Sequence, residues 1–148
     1  MDTELLKPKD SELEEAVLGV ILLDPGWLEE ITTWLTPEDF WFMSTRDIFE
    51  AMLEIKDGGS MADINEITVS KRLEAVGKLE SVGNFSYIAG LSSRVGSTLG
   101  ASAYARAVSD LDYRRRLLDL ATLVASLDHT RAKPLSEIPE RSETSLVQ

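Results

Sequence analysis

The chain has 148 residues, a hydrophobic share of 43% and a formal net charge of −11. That is one domain of ordinary size with enough apolar content for a core. The absence of cysteine excludes disulfides, thiolate metal sites and a cysteine nucleophile, and it suits a reducing, cytoplasmic setting.

No apolar run approaches the roughly 18 residues of a membrane span, and the opening MDTELLKPKD is unlike a signal peptide. The charge is uneven. Residues 1–93 hold 19 acids and 7 bases, whereas residues 94–133 hold 4 acids and 7 bases. Sequence-independent nucleic-acid binding runs on clustered Lys and Arg, so the acidic first part argues against strong direct DNA binding.

In chain order, Ser11-Glu12-Leu13-Glu14 has the pattern of a capping box, with Glu14 reaching back. Leu13, Val17, Leu18, Ile21 and Leu22 follow at helical spacing. Asp24-Pro25 ends that helix and opens a second, with Trp27, Leu28, Ile31, Trp34 and Leu35 as its apolar set. Thr36-Pro37-Glu38-Asp39 is a short capped turn leading into Phe40-Trp41-Phe42-Met43. A third helix starts near Ser44, carries Ile48, Phe49, Met52, Leu53 and Ile55 inward, and stops at Gly58-Gly59. Asn65 caps the next, with Ile67, Leu73 and Val76 inward and Gly77 as its stop. Residues 84–92 make a short helix with Phe85, Ile88 and Leu91 on one side. The expected core includes Val17, Leu18, Ile21, Phe40, Ile48, Phe49, Met52, Leu73, Phe85 and Ile88. Trp41 is divided between core packing and partner contact. No segment alternates with period two, so the fold class is all-α.

From Ala101 to Thr130 no Pro or Gly interrupts the chain. A helix of about 30 residues would be about 45 Å long, more than a compact head of about 95 residues, with a radius of gyration of about 13 Å, would span. Tyr104, Val108 and Leu111 step by four and three and, after a shift, Tyr113, Leu117, Leu120, Val124 and Leu127 step by fours and threes, a seam that asks for a facing helix. The segment after Lys133-Pro134 offers a weak partner through Leu135, Ile138, Leu146 and Val147. Either the long helix folds back over the head, or apolar surface remains for another chain. The division expected is a globular head over 1–96 and a helical hairpin over 97–148, its second helix truncated or frayed.

No catalytic constellation is visible. His129 stands alone near a helix end, the adjacent acid pairs do not share a helix face, and Gly96–Gly100 lacks the lysine of a phosphate loop. No cofactor is expected. Arg114, Arg115 and Arg116 lie within four residues of Asp110, Asp112 or Asp119, the pattern of an ion-paired face; phosphate or partner contact is the lesser reading.

The segments SELEEAVLGVILLDP (11–25), LTPEDFWFMSTRDIFEAM (35–52), ITVSKRLEAVGKLESVGNFSYIAGLS (67–92) and YARAVSDLDYRRRLLDLA (104–121) resemble, in order and spacing, the N-terminal domain of DnaB-type replicative DNA helicases. The chain departs from that pattern with Thr45 in place of a usual His, Asn65 for an Asp, Gly83-Asn84 for a Gly pair and Gly96-Ser97 for Pro-Ser. The resemblance implies a compact helical head followed by a protruding helical hairpin. It implies subunits that pair into dimers and a hexameric collar, and a platform for the DnaG-type primase and in some systems a helicase loader. ATP hydrolysis would reside in a separate RecA-like domain, leaving this chain non-catalytic and either a fragment or a free-standing domain. The alternative is a stand-alone, phage-type regulator of a host helicase. The interface expected is Tyr104, Val108, Leu111, Tyr113, Leu117, Leu120, Val124 and Leu127, with Trp41 and Arg114–Arg116 as candidate partner contacts.

Overall fold

The computed structural model describes residues 3–131 and the side chains of 4–128. Seven α-helices run α1 Ser11–Leu23, α2 Leu28–Ile31, α3 Met43–Gly58, α4 Glu66–Ala75, α5 Leu79–Val82, α6 Asn84–Val95 and α7 Ala101–Arg131, with no strand among the described residues. Single turns of 3-10 helix at Thr3–Leu6, Pro25–Trp27, Pro37–Asp39 and Met61–Asp63 lie outside them. The second hairpin helix, with Leu135, Ile138, Leu146 and Val147, lies outside the described residues.

The chain divides into two compact units. One is Pro8–Tyr113; the other joins residues 3–7 to residues 114–131. The first unit contains the opening turns of α7, expected in the hairpin. Ala101, Ala105 and Val108 are buried in the same core as α1, α3 and α6. Val17, Leu18, Ile21, Phe40, Ile48, Phe49, Met52, Leu73 and Ile88 are all buried there.

Helix α1 is buried over most of its length and packs chiefly against α6. Gly19 is what lets them approach: a Cβ there would lie 2.5 Å from the Leu91 carbonyl oxygen. Any larger residue must push the helices apart, which a close-packed interior resists.

Four apolar residues expected inward are exposed. Phe85 is 47% exposed. The left-handed pair Gly83-Asn84 (φ 114° and 64°) turns the chain just before it, and Val82 takes the inward position instead. Ile67 is exposed because α4 buries Val69, Ser70 and Leu73, a stripe on another face. Val76 lies past the end of α4 and is exposed as well. Trp34 is exposed because the helix expected to carry it stops early. The Thr32 and Thr33 hydroxyls donate to the Glu29 and Glu30 carbonyls at 2.9 and 2.6 Å, a local competitor to further helix. The Arg106 guanidinium lies 5.6 Å from the Trp34 ring centroid and gives the indole a cationic neighbour.

Candidate interaction surface

The run Phe40-Trp41-Phe42-Met43 is held from both sides. Before it, the Thr36 N–H donates to the Asp39 carboxylate at 2.8 Å, closing the Pro37–Asp39 turn. Phe40 then points fully into the core, its ring 4.7 Å from that of Phe49. Arg46, one turn into α3, donates from Nε and Nη2 to the Phe40 carbonyl at 3.2 and 2.8 Å.

Glu14 completes the clamp, in a role different from the capping box expected of it. Asp10 caps α1, accepting from the Leu13 N–H at 3.1 Å. Glu14 is buried and accepts from the Trp41 N–H at 2.8 Å, the Phe42 N–H at 3.3 Å and the Thr45 hydroxyl at 2.5 Å. A carboxylate of α1 thus sits at the start of α3, where the helix dipole favours negative charge. Phe42, the residue that caps α3, brings no side-chain cap of its own. The outcome is graded: Phe40 is buried, Trp41 and Phe42 are half-buried, and Met43 is 63% exposed. Lys9 lies 4.9 Å from the Trp41 ring centroid.

Beside this turn, the Tyr87 hydroxyl donates to Glu15 Oε2 at 2.7 Å, and Arg94 pairs with the same carboxylate. Burial first, and then the Glu15 acceptor and its charge, raise the Tyr87 pKa well above the usual phenol value. The unfolded phenol ionises near pH 10 while the folded one stays protonated. Stability from this bond is therefore full below about pH 10 and is lost as pH rises toward the folded value. Tyr87→Phe is expected to flatten that alkaline decline, as read from urea midpoints between pH 8 and pH 11.

The predicted seam of α7 is split by burial. Val108, expected at the interface, is instead buried in the core of its own chain, and Tyr104 packs half-buried against that core. Leu111 is half-buried. Tyr113, Leu117, Leu120 and Val124 are exposed, and Leu127 is half-buried. In the second unit a groove of about 650 Å³ runs along Leu117, Leu120, Ala121, Val124, Ala125, Leu127 and Asp128. Exposed Leu123 was missed because it falls outside the three-and-four stepping. Arg114 and Arg116 are exposed, Arg115 is buried, and all three are engaged with partners of their own. Among the described residues no three His, Cys, Asp or Glu side chains converge as metal ligands, and no helix is long and apolar enough to cross a membrane.

Residues 6–110 match the family described as the DnaB-like helicase N terminal domain. The replicative DNA helicase DnaB of Geobacillus stearothermophilus is 33% identical over 99% of this chain and 32% of its own length. The replicative DNA helicase DnaC of Bacillus subtilis is 33% identical over 97% of this chain and 31% of its own. The chain therefore spans about a third of the curated relatives it matches. The crystal structure of the N-terminal domain of DnaB helicase from Mycobacterium tuberculosis superposes with a TM-score of 0.76 at 28% identity, covering 83% of this chain and 88% of that one.

Proposed function

Because this chain belongs to the DnaB-like helicase N-terminal domain family, we propose that it is the non-catalytic collar part of a replicative DNA helicase, which pairs with further copies and docks replication proteins. The observation that carries this reading is the uncovered strip Leu117, Leu120 and Val124 along one side of α7. Three large apolar side chains at three-and-four spacing form a helix-packing seam, and water is a poor occupant for it. The half-buried Trp41, on a backbone clamped by Glu14 and Arg46, supports a second role. A rigid aromatic loses little freedom on binding, which suits a contact for a primase or a loader.

Sedimentation of the chain across concentration tests the pairing. Wild type is expected to self-associate, and Leu117→Glu or Val124→Glu to weaken association about 100-fold by placing a carboxylate in the seam. A wild type that stays monomeric at the highest concentration would defeat the reading.

A further inference from the structure

Residues 24–39 carry five acids and no basic residue, and they hold two of the chain's three tryptophans. A groove of about 480 Å³ opens there, lined by Asp24, Gly26, Trp27, Glu29, Glu30 and Thr33. Trp27 is half-buried, packed on the core on one side and bordering the groove on the other. Asp24 accepts from the Gly26 N–H at 3.1 Å, which fixes the turn that presents the indole. Glu30 accepts from the Ser102 hydroxyl of α7 at 2.9 Å. Four residues on from each of these two, Arg106 lies over the ring of Trp34, itself 44% exposed. The groove and Trp34 therefore join through Glu30 into one surface. Acids alone are well solvated and would need no neighbour. Acids set beside indoles match a group that is both cationic and flat. A guanidinium is that group: it takes a carboxylate in a forked pair and stacks on an aromatic face. Arg106 on Trp34 shows the stacking half of that mode within the chain itself.

We propose that this surface docks an arginine-bearing segment of a partner protein, with one guanidinium seated between Trp27 and Glu29. Charge complementarity names the occupant. The groove offers carboxylates and an indole, and no base of residues 24–39 competes for them. The same acids repel phosphates, so the partner is a protein segment and not a nucleic acid. Trp27 supplies a rigid apolar contact that excludes water from the ion pair, which is where such a pair gains most. Every residue invoked lies in the first unit, so the proposal does not depend on self-pairing through the exposed part of α7.

The chain's three tryptophans make the test direct, since each indole N–H gives its own NMR signal and Trp41 serves as an internal control. The probe is a short synthetic peptide of leucine and arginine, with a counterpart in which neutral citrulline replaces each arginine. The titration is run at about 0.15 M salt, where charges more than about 8 Å apart are largely screened. The arginine peptide is expected to shift the Trp27 and Trp34 signals saturably and to leave Trp41 in place. The citrulline peptide is expected to bind at least about tenfold more weakly. Glu29→Lys should weaken binding about tenfold, whereas Glu74→Lys, an equal charge change on α4, should leave it within about twofold. Circular dichroism checks that both variants keep their helicity. Three results would each overturn the proposal: no saturable shift at Trp27, equal binding of the citrulline peptide, or equal weakening by Glu74→Lys. The last would mean that the peptide follows the chain's overall acidity and not this surface.

Discussion

Phe40→Ala is expected to cost about 3–5 kcal/mol of folding stability, seen as a lower urea midpoint with an unchanged slope. The side chain is fully buried and its ring is paired with Phe49 at a centroid distance of 4.7 Å. Removing it forfeits the transfer term and leaves a cavity, whose cost depends on how far the surroundings can collapse. Here collapse is restrained on both sides. The Phe40 N–H is bound to the Pro37 carbonyl at 3.1 Å, and its own carbonyl is held by Arg46. A pinned backbone cannot follow the missing ring inward, so the cost should fall in the upper half of that range. Phe40→Leu, which refills most of the volume, is expected to cost clearly less. Equal costs for the two would show that burial of the ring is not what holds this turn.

Glu14→Ala is expected to cost about 3–5 kcal/mol as well, although the position lies in a run of glutamates that looks like solvated helix surface. The carboxylate accepts from two backbone N–H groups and one hydroxyl, all from residues 41–45. Truncation would strand those donors, at roughly 1–3 kcal/mol for each that water cannot reach. It would also withdraw a negative charge from the start of α3. Glu14→Gln keeps one acceptor oxygen and should cost less than Ala. Thr45→Val removes one of the three donors, so its effect should be non-additive with Glu14→Ala in a double-mutant cycle. A cost below about 1 kcal/mol for Glu14→Ala, typical of a surface site, would rule out the clamp. Loosening it should also free the Trp41 backbone, so any partner affinity that depends on Trp41 should fall in step.

How far the sequence could be read differs from place to place. The all-α class and most inward positions of α1 and α3 were legible because both helices are long enough to show a repeating apolar stripe. Short elements were not. The helix expected over 24–35 contracts to Pro25–Trp27 and α2, since two threonines in succession satisfy the carbonyls that would have continued it. Phe85 was misplaced because periodicity assumes an unbroken helix axis, and Gly83-Asn84 break it. Glu14 was assigned to its own helix because a local pattern favours a local partner. Its actual partners lie 27 to 31 residues away, and nothing in a single sequence pairs an acid with distant backbone donors.

By itself the sequence determined that this protein is helical, where its helices can start, and which family it resembles. Those are properties of neighbours along the chain: caps, breakers and spacing act over three or four residues. Only the tertiary structure decided which turns of α7 face the core and which remain uncovered, because apolar residues step by threes and fours on both sides of the shift between Leu111 and Tyr113. Val108 and Val124 are one residue type on one helix, in two stretches of like spacing. The first is buried and the second exposed, since burial is conferred by what lies opposite a residue and not by the residue itself.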